Sequence, residues 1–259
     1  MKPHPWNTDF TWQATGHDEF DQKGYFLLED TIDTRELAEV TAEIDPFEER
    51  MTEFLRTQPD GKLMIADADA ITFTTHLVTR SARLREFAAA PVFQKLCAQL
   101  VGSSPRLYWD QAVYKKPESP KEFPWHQDNG YTFVEPQQYL TCWVPLVDAT
   151  VDNGCPWVVP GLHLRGTLEH WWTDVGYQCI EHPDNAVAVE APAGSVVVFS
   201  SLTPHRTGPN VTDGVRKAYI LQYAPDGAEA LRGETSAPPT ARERQDDKER
   251  QFEILSGHG

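Results

Sequence analysis

No stretch of the 259 residues reaches the roughly 20 consecutive apolar residues that a membrane-crossing helix needs. The opening segment, Met1 to Trp12, is polar and aromatic and lacks the apolar core of a secretory signal. Cysteine is scarce. The four, at 97, 142, 155 and 179, form no CxxC pair and read as buried thiols of a reducing compartment, so a soluble, cytoplasmic protein is expected. Positive charge is also short, with 23 Lys and Arg against 39 Asp and Glu and a net charge of −16. That balance disfavours nucleic acid and anionic membrane as partners, yet leaves room for one local basic pocket that takes an anionic small molecule. No internal repeat of solenoid length occurs.

What is abundant points to a folded, turn-rich domain. Eight Trp, eight Tyr and twelve Phe within a 40% apolar composition supply a core, while twenty Pro and sixteen Gly argue against an all-helical bundle. The length suits one domain over residues 1–232 with a polar, solvated tail over 233–259. Asp33-Thr34 predicts a capped helix from Arg35 to Ile44, ended by Asp45-Pro46. Further helices are predicted over Arg80–Ala90 and from Pro91 to about Val101. From Arg106 onward, short strands alternate with turn signals: Leu107–Lys115, Tyr139–Leu146, Cys155–Val159, Ala186–Glu190, Ser195–Ser200 and Lys217–Ala224. Strands that follow one another without intervening helices predict an antiparallel sandwich or barrel, with residues 161–185 as a loop over one end.

Nine histidines are candidate ligands, and spacing selects among them. In His126-Gln127-Asp128 an extended backbone projects an imidazole and a carboxylate to one face, where both can bind one metal ion. His182-Pro183-Asp184 has the same spacing, but its proline removes a backbone donor, and only about one hairpin fits between it and His205. His126 and Asp128 are therefore preferred, and His182/Asp184 reads as a surface decoy. His205, just after the apolar strand Ser195–Ser200, is the candidate third ligand. Arg216 lies eleven positions beyond it, across a turn rich in Gly, Pro, Asn and Asp, and can grip a carboxylate beside the metal. His163 reads as structural; His76, His170 and His182 can line the mouth; His4, His17 and His258 lie near the ends. Tyr131, Phe133 and Trp157 read equally as substrate-facing or as packing.

With these residues in place, the chain resembles the phytanoyl-CoA dioxygenase family, iron(II)- and 2-oxoglutarate-dependent oxygenases. Trp125-His126-Gln127-Asp128-Asn129 is similar to the family's metal segment and Cys142-Trp143-Val144-Pro145-Leu146 to the strand after it. Asn153-Gly154-Cys155 with Val159-Pro160-Gly161-Leu162-His163 resembles its NGC…PGSH stretch, with Leu162 where Ser is frequent. Gly24-Tyr25-Phe26-Leu27-Leu28 resembles its opening strand, so the likeness spans about residues 15–225.

The resemblance implies a mainly β fold with flanking helices, a double-stranded β-helix (jelly roll, cupin-like). It implies His126, Asp128 and His205 as iron(II) ligands and Arg216 as partner of the distal carboxylate of 2-oxoglutarate, with O2 as the third reactant. Gln111 resembles a cosubstrate-contacting Gln of the related ectoine hydroxylases, and Trp143 sits where relatives place a Trp near the cosubstrate; either also fits plain core packing. The expected reaction hydroxylates a C–H bond of a small molecule and releases succinate and CO2. Asp128 favours this over halogenation, because halogenating relatives carry a small residue there. Two alternatives stay open: a metal- and 2-oxoglutarate-binding module without turnover, and a zinc-dependent hydrolase or isomerase.

Overall fold

The computed structural model describes residues 1–255; His258 and the end of the 233–259 tail lie outside them. The elements in chain order are α1 (Asp18–Lys23), β1 (Tyr25–Leu28), α2 (Thr34–Arg56), β2 (Lys62–Leu63), β3 (Ala66–Asp67), β4 (Ile71–Thr75), α3 (Ala82–Ala88) and α4 (Pro91–Leu100). Then follow β5 (Pro105–Lys115), β6 (Phe123–His126), α5 (Asp128–Tyr131), β7 (Val134–Glu135), β8 (Leu140–Pro145) and β9 (Pro156–Val158). The chain continues with β10 (Trp171–Thr173), β11 (Gly176–Gln178), β12 (Val187–Ala188), β13 (Val196–Ser200), β14 (His205–Thr207), β15 (Arg216–Pro225), β16 (Glu229–Arg232) and β17 (Ala241–Arg244).

The Asp33 carboxylate caps α2, accepting from the backbone N–H groups of Arg35 (2.9 Å) and Glu36 (3.4 Å). The helix runs through Pro46 to Arg56, well past the predicted stop. Pro46 forfeits one intrahelical bond, but Leu37, Val40, Ile44, Glu48, Thr52 and Leu55 continue a single buried stripe across it. Buried Glu48 accepts from Thr72 Oγ1 (2.9 Å) and Lys116 Nζ (2.6 Å), which ties α2 to the sheet. Gly24 turns α1 into β1 at φ +80°, where a Cβ would lie 2.5 Å from both Thr203 Oγ1 and His163 Nδ1. This close approach fixes the loop that delivers His205.

An eight-stranded antiparallel sheet has the order β1-β13-β8-β15-β5-β4-β3-β2, and a four-stranded sheet the order β12-β9-β14-β6. One face of the larger sheet packs through Tyr114, Val144, Tyr219 and Tyr223 onto residues of the helices such as Ile44, Phe87 and Phe93. The other face meets the smaller sheet through Val113, Trp143, Val197, Phe199 and Ile220 against Cys155 and Val158. Strands β8 and β13 are covered on both faces, and every residue of both is buried. The segment after Gly233 is held down: β17 pairs with β16, and Ile254 is buried in the main core.

The expected jelly roll, a double-stranded β-helix of mainly β character, is corrected by this pairing. The fold is mixed α/β with large antiparallel sheets, and among the described residues no ladder joins the end strands β1 and β2 into a closed barrel. The reason lies in long-range strand pairing. Ile71–Thr75, where the sequence predicts no strand, pairs with β5 from Ile71↔Lys115 to Thr75↔Gln111 and, through β3 and β2, carries the sheet outward to an open edge.

Candidate metal centre

His126 ends β6 and His205 opens β14, and the two are direct partners in the antiparallel ladder. Directly opposed residues project to one face, which places the ring centroids 4.2 Å apart. Gln127 is extended (φ −109°, ψ 144°), so Asp128, the first residue of α5, returns to the side of His126. Asp128 Oδ1 lies 4.0 Å from His126 Nε2 and 3.7 Å from His205 Nε2. Donor atoms of all three residues fall within 4.8 Å of one another. Neighbouring donors about 4 Å apart can share one ion at bonds of roughly 2.0–2.2 Å.

The supporting bonds select the ligand atoms. His126 Nδ1 donates to the Pro124 carbonyl (2.8 Å) and His205 Nδ1 to the Thr203 carbonyl (3.0 Å). A carbonyl only accepts, so each Nδ1 carries the proton and each Nε2 lone pair faces the shared point. Burial, followed by the neighbouring His205, holds the His126 imidazole well below its usual pKa, in the neutral form that ligates. Thr141 Oγ1 donates to Asp128 Oδ2 at 2.5 Å and leaves Oδ1 facing the histidines.

Two residues to which the sequence reading gave no supporting role at the metal hold the motif. Gln127 points away from the site, fully buried; its Nε2 donates to the carbonyls of Gly166 (3.0 Å) and Leu202 (2.6 Å), and its Oε1 accepts from Leu168 N–H (2.6 Å). His170 Nε2 accepts from Gln127 N–H at 2.9 Å. Burial lowers the pKa of His170 to about 4, which keeps that acceptor neutral. Gly130 makes room for this ring, because a Cβ there would lie 2.1 Å from it. The sequence signal for Gln127 was its place inside the motif, whereas His170, read as a mouth residue, lies 43 positions further along the chain.

Arg216 opens β15 with no exposed surface. Its Nη1 donates to the Val113 carbonyl (3.1 Å), and its Cζ sits 5.4 Å from the Trp143 ring centre. Its Nε and Nη2 are buried with no partner among the described residues. Complete burial pushes the pKa down to about 10, so the group stays charged at neutral pH. A buried donor left unpaired costs about 1–3 kcal/mol, so this guanidinium is built to receive an acceptor.

The metal triad, Arg216, Gln111, Trp143 and the apolar side chains Phe73, Val113, Phe199 and Ile220 line one cavity of about 60 Å³ that opens to solvent. Gln111 Oε1 accepts from Trp109 Nε1 (3.2 Å), which leaves the Gln111 amide hydrogens free to donate. The other candidates sit elsewhere. His182 and Asp184 are exposed, and among the described residues only His126, Asp128 and His205 form a metal-competent group. His163 is buried, edge-on to Trp12 at 4.5 Å. Tyr131 packs edge-on to His126 at 5.2 Å, whereas Phe133 packs on His4 at 4.7 Å. Two histidines and one carboxylate on one face, with a cation short of an acceptor in the same cavity, fit an iron(II) ion together with a dianionic keto acid.

The chain spans 60%, 52% and 54% of the lengths of curated phytanoyl-CoA dioxygenase relatives from Arabidopsis thaliana, Oryza sativa and Caenorhabditis elegans. The Arabidopsis protein is 27% identical over 169 residues, 62% of this chain. A methylphosphonate hydroxylase from Gimesia maris is 28% identical over 80% of this chain and 78% of its own length. Among solved structures, the epimerase SnoN, in complex with Fe3+, alpha-ketoglutarate and a nogalamycin compound, superposes with a TM-score of 0.70 at 22% identity. That superposition covers 92% of this chain and 96% of SnoN, a likeness of fold. The family model for phytanoyl-CoA dioxygenase matches residues 20–218, which contain the whole triad and Arg216, and the chain belongs to that family.

Proposed function

We propose that the chain is an iron(II)- and 2-oxoglutarate-dependent oxygenase that hydroxylates a C–H bond of a small molecule, with release of succinate and CO2. His126, Asp128 and His205 hold the iron, Arg216 takes the distal carboxylate of 2-oxoglutarate, and Gln111 and Trp143 frame that cosubstrate. The observation that carries this reading is the pairing of a three-donor metal face with a wholly buried guanidinium whose Nε and Nη2 lack partners among the described residues. A zinc hydrolase has no use for such a cation.

Bound iron and 2-oxoglutarate supply the oxidising power with O2; the protein positions and shields. The Pro124 and Thr203 carbonyls fix the imidazole tautomers, Thr141 orients Asp128, and Trp143 lies along the Arg216 guanidinium. Phe73, Val113, Phe199 and Ile220 keep the cavity wall apolar, which strengthens the Arg216–carboxylate pair.

A second chamber of about 350 Å³ supports a polar substrate. Trp109, hydrogen-bonded to Gln111, borders it together with Tyr108, Thr132, Arg232, Arg250 and Gln251. Its walls carry Arg and acidic groups in ion pairs, among them Arg232–Glu243 at 2.8 Å, and offer little apolar surface to an acyl chain. Residues 1–232 would then act as the chemical domain, and the tail residues between Glu243 and Gln251 as a wall of the substrate chamber. The four free, buried cysteines fit a reducing, cytoplasmic compartment, and burial pushes the Cys179 thiol up to about 12. No helix of the described residues is long and apolar enough to cross a membrane.

The test is a metabolite-pool screen with iron(II), 2-oxoglutarate and O2, with phytanoyl-CoA as the apolar comparison. The expected result is succinate release coupled to a mass gain of one oxygen in a polar metabolite. Absence of succinate under every condition would overturn the oxygenase reading, and coupling to phytanoyl-CoA alone would overturn the polar-substrate reading.

A further inference from the structure

Arg216 does not stand alone. Its direct partner across the β5–β15 ladder is Lys115, and both side chains have no exposed surface. Like charges directly opposite each other on a sheet repel, and burial magnifies the cost. Among the described residues neither cation makes an ion pair with a carboxylate. The acid whose charge favours the Lys115 ammonium is Glu122, and it is already bonded to Arg206. A fold that places two cations opposite each other in its interior calls for an anion.

The lysine is held in place. Lys115 Nζ donates to the Lys121 carbonyl (3.1 Å), the Thr207 hydroxyl (3.2 Å), the Thr207 carbonyl (3.4 Å) and the Gly208 carbonyl. With no anion bound beside it, burial, followed by the neighbouring Arg216, pushes its pKa down to about 6, and a carboxylate bound there would favour the charged form again. Against that, the three carbonyls can only accept, and together with the hydroxyl they occupy all three N–H groups of an ammonium. Thr207 lines the metal cavity, so Lys115 bridges from the larger sheet to the smaller one at the Arg216 end of the site.

We propose that Lys115 is a positioning residue for the cosubstrate: a second buried cation that raises affinity for the distal carboxylate through its charge and sets the Thr207 wall against which that carboxylate lies. This rests on the oxygenase reading and adds a residue to it. Lys115 does not touch the iron ligands, so its effect is specific to the far end of the keto acid.

The experiment is anaerobic titration calorimetry of the full chain loaded with iron(II), using two probes. These are 2-oxoglutarate and 2-oxopentanoate, which has the same keto acid end but no distal carboxylate. Lys115→Gln, which keeps a donor and removes the charge, is expected to weaken 2-oxoglutarate about tenfold and to leave 2-oxopentanoate within about twofold, the size expected of one charge acting over several ångströms in a partly buried site. Lys115→Arg, which keeps the charge, is expected to retain the preference for 2-oxoglutarate, and it keeps the proposal testable should the Gln variant not fold. Parallel losses for both acids in a cooperatively melting variant, no loss for either in Lys115→Gln, or an Arg variant without the preference would overturn the proposal. Wild-type protein that binds neither acid would overturn the oxygenase reading itself, a separate result.

Discussion

Asp128→Ala is expected to reduce succinate formation by more than about 100-fold, beyond the usual cost of losing a group that merely supports a ligand, while the fold survives. Asp128 is the sole carboxylate of the metal face, and the two histidines beside it are neutral donors. Without it the site loses one of three ligands and all of its negative charge. Little else depends on the side chain. Its one bond to a neighbouring neutral group is from Thr141, and a lost hydrogen bond of this kind costs about 1 kcal/mol. For a chain of this length that amounts to roughly 2–4 °C of melting temperature. Thermal melting beside a succinate assay checks both halves. Full activity in the variant would remove Asp128 from the metal face.

Arg216→Met is expected to do two opposite things. Affinity for 2-oxoglutarate falls by roughly 30-fold to several thousand-fold, since truncating one partner of a buried charge pair costs about 2–5 kcal/mol. The ligand-free protein, in contrast, becomes more stable. Wild-type Arg216 is buried with two donor atoms lacking partners among the described residues and Lys115 opposite it. Methionine of similar length relieves both burdens and gives up only the Val113 bond. Replacing buried charge by apolar volume gains about 1–4 kcal/mol in favourable cases, so the melting temperature should rise by a few degrees. Added 2-oxoglutarate should raise the melting temperature of wild type by more than that of the variant, because the shift follows the affinity of the ligand for the folded state. Unchanged affinity for 2-oxoglutarate would place its distal carboxylate elsewhere.

The triad was legible because its determinants are local. His126 and Asp128 stand two apart on an extended segment, and His205 follows an apolar strand whose end the turn chemistry marks. Arg216 was legible as the first residue of a long apolar strand, and Asp33 as a cap. Three features were not, each for a tertiary reason. Pro46 signals a helix stop, but a buried stripe reaching Leu55 outweighs the loss of one bond. Ile71–Thr75 is a strand because β5 offers it a long edge, which local sequence does not reveal, and that pairing opens the predicted barrel into sheets. Lys115 reads as an ordinary lysine at a strand end; only the register that sets it opposite Arg216 and the smaller sheet folded over it make it a buried cation. Gln127 and His170 were hidden in the same way, since their bonds run to a loop some forty residues distant.

The central claim is that one ferrous ion binds where β6, α5 and β14 meet. Crystals grown with iron(II) and 2-oxoglutarate under anaerobic conditions, measured at the iron absorption edge, test it most directly. The account predicts one anomalous peak in contact with Nε2 of His126, Nε2 of His205 and the Asp128 carboxylate, with the keto acid reaching from that peak to Arg216. Iron bound at other residues, or a keto acid whose far end avoids Arg216, would contradict it.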